Sequence, residues 1–255
     1  MRTRPIRIAW GVFLFLGCAG RVAPLRPRTA AAPEIRQLDV GTGTNAYVVM
    51  GTRPILVDTG WGKSSAKLEH QLATIGVDPR ALALIVLTHG HGDHAGGADR
   101  MRALSGAKIL AGAGDVEMLQ AGRNRPLKPM SGIGKLVRGI SDKPFPPFTP
   151  DLTLVSDFDL RPYGVDGKVI SIPGHTPGSV AVVLDDGDAL VGDLFRGGIV
   201  HSHQPERHFF HDDCQADEAH IAPLIASGAK RFFVGHGGPL DAAAVARRFA
   251  DYPCP

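Results

Sequence analysis

Short apolar runs rich in β-branched residues alternate along this chain with segments whose apolar residues recur every three or four positions. The runs at 46–50, 55–57, 84–87, 108–110, 152–155, 168–172, 180–184, 189–191 and 231–234 predict strands, each ending near glycine or a polar residue. Helical spacing over 64–75 (Leu68, Leu72, Ile75), with Ser64 or Ser65 as cap and Gly76 as stop, predicts a helix. Further helices are predicted over 97–104, 115–120, 217–225 and 241–249. Residues 122–150 carry Pro126, Pro129, Pro144, Pro146, Pro147 and Pro150 beside several glycines. They read as a long irregular insert, either a lid or binding wall or a plain surface excursion. Strands and helices mixed through both halves predict an α/β architecture of sheet layers flanked by helices.

Composition adds little until charge is located. A chain of 255 residues with 44% apolar and 21% charged residues is ordinary for a globular protein of one large or two small domains. Residues 1–33 hold six arginines and no acid, leaving 22 basic against 25 acidic residues beyond them, so the overall net charge of +3 belongs to the N-terminal segment. The globular part gives no support for a nucleic-acid surface.

Within that segment, Arg2, Arg4 and Arg7 precede an apolar core from Ile8 to Leu16 and the small residues Gly17, Cys18, Ala19 and Gly20, the pattern of an export signal. The core is short for a permanent span, and Arg2 and Arg4 are not adjacent, so no twin-arginine signal is present. Leu14 to Cys18 resembles the lipobox of bacterial lipoproteins, with Phe15 where leucine is commoner. That resemblance implies an exported, membrane-anchored periplasmic protein lipidated at Cys18; a cleaved soluble protein and an uncleaved anchor are the alternatives. The domains predicted are a signal peptide over 1–17, a tether over 18–33 and one folded domain over 34–255. Lipidation of Cys18 leaves Cys214 and Cys254, as a disulfide or as two free thiols; spacing leaves both open.

The chemistry concentrates at strand ends. The run Thr88-His89-Gly90-His91-Gly92-Asp93-His94 follows the apolar stretch 81–87 directly. Imidazole and carboxylate bind first-row divalent metals without thiolate. One short loop cannot wrap four such groups around a single ion, so the crowding points to two ions, each completed from elsewhere. Other strand ends offer the same chemistry beside glycine: Asp58-Thr59-Gly60, Gly174-His175, Gly192-Asp193 and Gly235-His236.

In this set the chain resembles the metallo-β-lactamase-fold hydrolase superfamily. Its His-x-His-x-Asp-His pattern is met by His89, His91, Asp93 and His94, its later positions by His175, Asp193 and His236, and its early aspartate by Asp58. The resemblance covers about residues 34–255 and implies a four-layered αβ/βα sandwich. It also implies that His89, His91 and His175 hold one ion, that Asp93, His94 and His236 hold a second, and that Asp193 bridges them. The ions implied are zinc, with iron or manganese as alternatives. Two close divalent ions lower the pKa of a shared water and polarise a carbonyl or phosphoryl oxygen. Hydrolysis of a small ester, thioester, lactone or related amide by a metal-bridging hydroxide is the function implied.

Catalytic roles fall to Asp93, to Asp58 through orientation of a ligand imidazole, and to His203. The last belongs to a segment, 197–211, where His201, His203, His208 and His211 stand beside Arg207, Phe209 and Phe210. His203 or a neighbour is a substrate contact or proton donor, or the segment is a polar loop with incidental histidines. β-Lactamases proper replace the bridging aspartate with cysteine or serine, and acyl-homoserine-lactone lactonases usually carry tyrosine where Arg196 stands; Asp193 and Arg196 depart from both. An iron-dependent persulfide dioxygenase-like oxidoreductase and a non-enzymatic metal-binding lipoprotein are the readings from other classes. The partner expected is a small-molecule substrate, with membrane contact through Cys18 and no nucleic acid.

Overall fold

The computed structural model describes residues 33–41, 43–251 and 254; the predicted signal peptide, Cys18 and the tether up to residue 32 lie outside them. Two six-stranded sheets carry the fold. In the first, β1 (Glu34–Asp39), β2 (Asn45–Met50), β3 (Ile55–Val57), β4 (Leu84–Val86), β5 (Lys108–Gly112) and β6 (Leu152–Leu154) lie side by side in chain order. β1 to β3 pair antiparallel, and β3 to β6 pair parallel. The second sheet contains β7 (Phe158–Asp159), β8 (Gly167–Ser171), β9 (Val180–Leu184), β10 (Asp188–Gly192), β13 (Arg231–Val234) and β14 (Leu240–Asp241), neighbours in that order. Only β10 and β13 pair parallel within it. Between them in sequence, β11 (Arg196–Gly197) and β12 (Pro205–Glu206) form a separate hairpin.

Strands with one wet face alternate apolar and polar residues, but most of these read as continuous apolar runs because both faces are covered. The two-residue period sorts their side chains between different cores. In β2, Ala46 and Val48 pack with Leu68, Leu72 and Met101 from α1 (Ser65–Thr74) and α3 (Ala98–Ser105). Tyr47 and Val49 instead meet Val182, Leu184 and Phe233 of the second sheet. On the far side, Ala189, Val191 and Phe232 pack with Leu224 and Val245 from α7 (Ile221–Ala226) and α8 (Ala242–Asp251). Three cores therefore separate four layers: helices, sheet, sheet, helices.

Beyond the two-residue strands β7, β11, β12 and β14, which no apolar run predicts, the structure departs from the sequence pattern in three places and decides one alternative. β1 is an edge strand with Leu38 as its one buried residue, too few apolar positions to register as a run. The predicted helix over 217–225 is two, α6 (Cys214–Glu218) and α7. A continuous helix would need an N–H from Pro223, and proline instead sits in the first turn of α7, where none is required. The insert 122–150 is not wholly irregular. It holds α5 (Gly132–Ser141), whose cap Ser131 accepts a hydrogen bond from Gly134 N at 3.1 Å. Finally, Cys214 and Cys254 are joined in a disulfide with Cα atoms 6.0 Å apart, which resolves the alternative the spacing left open. Among the described residues no helix is long and apolar enough to cross a membrane.

Two short helices complete the inventory, α2 (Gly92–Ala95) and α4 (Val116–Ala121). The C-terminal ends of β3, β4, β8, β10 and β13 lead directly into Asp58, the 88–94 run, the 173–178 loop, Asp193 and His236. The fold thus delivers every predicted ligand to the ends of strands, from both sheets.

Candidate metal centre

The loops that carry the donors are held by buried hydrogen bonds rather than by length. Asp58 accepts from Thr88 N at 2.8 Å and Thr88 Oγ1 at 2.7 Å, fixing the start of the histidine run. It does so with φ of 61°, the one non-glycine in the left-handed region among the described residues. Such strain persists only where surrounding contacts over-determine it. Asp115 ties two loops together: its carboxylate accepts from Gly90 N at 2.7 Å, Thr176 Oγ1 at 2.7 Å and Gly178 N at 2.9 Å. On the other side, Asn45 Nδ2 donates to the carbonyls of Val234 at 2.9 Å and Gly237 at 2.8 Å, anchoring the loop that carries His236 to β2. Two glycines permit close approach. A side chain at Gly192, with φ of 54°, would meet Thr88 Oγ1 at 2.5 Å, and one at Gly235 would meet Asp193 Oδ1 at 2.1 Å.

Four imidazoles have their tautomers set by outer partners. His94 Nδ1 lies 2.8 Å from Asp58 Oδ2, His175 Nδ1 2.8 Å from the Phe210 carbonyl, and His236 Nδ1 2.9 Å from the Gly43 carbonyl. These oxygens only accept, so each Nδ1 carries a proton and Nε2 is the nitrogen turned inward. His89 Nδ1 lies 3.1 Å from Thr88 Oγ1, whose own proton goes to Asp58, so it too donates there. His91 turns the opposite nitrogen inward, its Nδ1 standing 3.1 Å from His175 Nε2.

Three of the inward atoms find no partner among the others. His89 Nε2, His94 Nε2 and Asp193 Oδ1 are buried without a hydrogen bond, an arrangement that costs free energy unless a cation occupies the space between them. Donor atoms of His89, His91 and His175 lie close enough to share one ion, and so do those of Asp93, His94 and His236. Asp193 lies between the groups: its Oδ2 is 3.8 Å from His89 Nε2, 3.6 Å from His175 Nε2 and 3.4 Å from His236 Nε2, and its Oδ1 is 3.5 Å from His94 Nε2. Nitrogen and carboxylate donors in these groupings fit divalent ions.

Electrostatics divide the donors into two kinds. Burial, reinforced by neighbouring imidazoles, holds His89 and His175 well below the usual histidine range, keeping them in the neutral form that binds metal. Burial also opposes charge on His94 and His236, but nearby carboxylates outweigh it. Asp193, Asp58 and Asp93 raise His94 well above its usual value, and Asp193 with Asp93 raises His236 to about 10. Burial disfavours ionised Asp93 and Asp193 as well, yet the surrounding imidazoles hold both below the ordinary carboxylate range. The two acids therefore draw positive charge into the centre.

The sequence candidate His203 lies elsewhere. It is exposed, its Nδ1 lies 3.1 Å from the Pro239 carbonyl, and it is not among the residues lining the cleft over the donors. Its neighbour His208 faces the centre instead. The ring is buried, Nε2 lies 3.2 Å from Asp193 Oδ2, and the imidazole stacks on His236 at 5.4 Å. His211 forms a buried pair with Asp217 at 2.6 Å, and Asp217 also accepts from His175 N at 3.0 Å. The histidine-rich composition of 197–211 was the signal for these residues, but the hairpin decides which of them face inward. Arg196 borders the cleft with its guanidinium engaged by Glu206 and the Gly197 carbonyl.

Above the donors opens a cleft of about 970 Å³, with Asp93, Asp193, His208 and His236 among its polar lining and Trp61, Val137, Phe145, Ile199 and Phe209 among its apolar walls. Its size is at the upper end of small-molecule sites. Asp115→Ala is expected to lower stability by about 2–4 kcal/mol, since three buried donors lose their acceptor; urea unfolding midpoints would measure this, and an unchanged midpoint would remove its structural role.

Comparison with known proteins identifies the family and the fold. Residues 39–236 match the sequence model of the metallo-beta-lactamase superfamily. A hydroxyacylglutathione hydrolase from Cereibacter sphaeroides is 31% identical over 126 residues, 46% of this chain and 38% of the relative. The match spans 33% to 38% of the length of the hydroxyacylglutathione hydrolases and 60% of that of a Drosophila melanogaster beta-lactamase-like protein 2 homolog. Among solved structures, a Cronobacter sakazakii metallo-beta-lactamase is 23% identical with a TM-score of 0.60, covering 91% of this chain and 92% of that one. A protein solved in a di-iron-bound form is 25% identical with a TM-score of 0.58, covering 85% and 98% respectively. With the family match spanning most of its length and the fold shared over 91% of it, the chain belongs to the metallo-beta-lactamase superfamily.

Proposed function

We propose that this protein is a dinuclear, zinc-dependent hydrolase of a small ester, thioester, lactone or related amide. The observation that carries the reading is the convergence of two donor groups on Asp193 at the base of an apolar cleft. His89, His91 and His175 would hold one ion, Asp93, His94 and His236 the other, with Asp193 shared. Ions bound there supply a water of lowered pKa and positive charge beside the scissile carbonyl.

The chain's own residues do the rest. Asp58 and the Phe210 and Gly43 carbonyls hold the imidazoles in orientation and tautomer. Trp61, Phe145 and Phe209 exclude water from the apolar part of a bound substrate. His208, beside Asp193, is placed to touch the reacting end of the substrate. Export and lipidation at Cys18 complete the reading, resting on the N-terminal sequence alone.

The test is metal analysis of the purified protein alongside lactone, thioester, phosphodiester and cephalosporin substrates. About two zinc ions per chain are expected, with turnover of a lactone or thioester that chelation removes and zinc restores. The di-iron form of the structural relative makes iron loading the informative control. Oxygen consumption by iron-loaded protein without zinc-dependent cleavage would sink the hydrolase reading.

A further inference from the structure

Among the described residues seven large apolar side chains are exposed, and five of them sit on two elements at the mouth of the cleft. Ile133, Leu136 and Ile140 lie on α5, and Ile199 and Val200 follow β11 in the connection to β12. Both elements contribute to the cleft wall, through Val137 and Ile140 on one side and Ile199 on the other. The helix itself is lightly seated. Gly134 is its one buried residue, where an added Cβ would meet the Phe209 carbonyl at 2.8 Å, Val137 is half-buried, and the Ser141 carbonyl accepts from Asn124 Nδ2 at 3.0 Å, while Ile133, Leu136 and Ile140 stay exposed. Positions 133, 136, 137 and 140 fall on one face at helical spacing.

A substrate in the cleft would cover Val137, Ile140 and Ile199. It would leave Ile133, Leu136 and Val200, which do not line the cleft, in water. Leu136 is 82% exposed and Val200 84% exposed. A flat, extended apolar phase would cover all of them at once. Charge narrows the choice further. Residues 123–143 hold six basic residues and one acid. Arg125 and Lys128 have acidic neighbours in Glu117 and Asp212, whereas Lys135, Arg138 and Lys143 are in no ion pair among the described residues. An amphipathic helix with an uncovered apolar face and unpaired basic residues fits the interface of an anionic bilayer.

We propose that α5 and the β11–β12 connection form a membrane-docking surface that seats the mouth of the cleft against anionic lipid. This surface is separate from the N-terminal segment and does not require a lipid at Cys18.

Hydrogen exchange of the full chain, read peptide by peptide, tests this with vesicles of phosphatidylcholine with or without phosphatidylglycerol. Anionic vesicles are expected to slow exchange in 131–143 and 198–204 by about tenfold. The combined variant Leu136→Asp with Val200→Asp should remove that slowing while leaving the unfolding midpoint unchanged, since both side chains are exposed. The readout is local because the N-terminal segment can bind vesicles by itself. Slowing confined to N-terminal peptides overturns the proposal. So does protection of α5 that rises with protein concentration in vesicle-free buffer, which would assign the face to a second copy. Neither result depends on metal or turnover, so the hydrolase reading stands or falls separately.

Discussion

Asp193→Ala is expected to lower hydrolysis by about 10³-fold or more and to strip most of the metal from the protein. Loss of a single hydrogen-bond donor to a developing oxyanion already costs about 10²–10³ in rate, and Asp193 does more than one donor can. Its carboxylate lies within 3.8 Å of inward nitrogens from His89, His175, His236 and His208, and its other oxygen is 3.5 Å from His94. Removing it leaves five imidazoles converging with Asp93 as the remaining acid of the set. The centre would then have one carboxylate fewer to offset the charge of a cation that enters. His175→Ala should act similarly, because it opens the first donor group and frees the loop that Asp217 holds. Metal content by elemental analysis and initial rates on the best substrate check both variants. Wild-type turnover in either would overturn the ligand assignment.

Asp58→Asn is expected to weaken metal affinity by about 10- to 100-fold while leaving the fold intact. The wild-type carboxylate accepts three hydrogen bonds, from Thr88 N, Thr88 Oγ1 and His94 Nδ1. An asparagine keeps the shape but must aim its NH₂ at one of these donors in either orientation. If it faces His94, the imidazole must move its proton to Nε2 and lose the inward lone pair. Competition with a chelator of known affinity measures the loss, and saturating zinc should restore part of the rate. Unchanged affinity would show that Asp58 only shapes the backbone. The outcome separates a positioning residue from a catalytic one, since Asp58 is buried behind His94 and does not line the cleft.

How much of this was legible depends on whether a residue's role is local. Val180 to Leu184 and Ile55 to Val57 appear as strands in the sequence because burial on both faces writes itself as an unbroken apolar run. The run from His89 to His94 is equally plain, since ligands two or three residues apart need no knowledge of the rest. The supports are another matter. Asp115, Asn45 and Asp217 look ordinary in sequence and acquire meaning from partners 25 to 192 residues away. The choice between His203 and His208 turns on a hairpin whose strands are two residues long, too short for periodicity to reveal. α5 escaped because Gly132, Gly134 and Gly139 are poor helix formers.

The division of donors between the two sheets has a thermodynamic consequence. His89, His91, Asp93 and His94 follow a strand of the first sheet, whereas His175, Asp193 and His236 follow strands of the second. Neither half of the chain owns a complete set for either ion. Under the proposed assignment a bound ion would act as a clasp across the seam between the sheets, and its binding energy would be drawn on whenever they part. Occupancy at a hundred times the dissociation constant would add about 2.7 kcal/mol to the stability of the whole sandwich. Metal supply would then govern how long the folded protein survives as well as how fast it turns over.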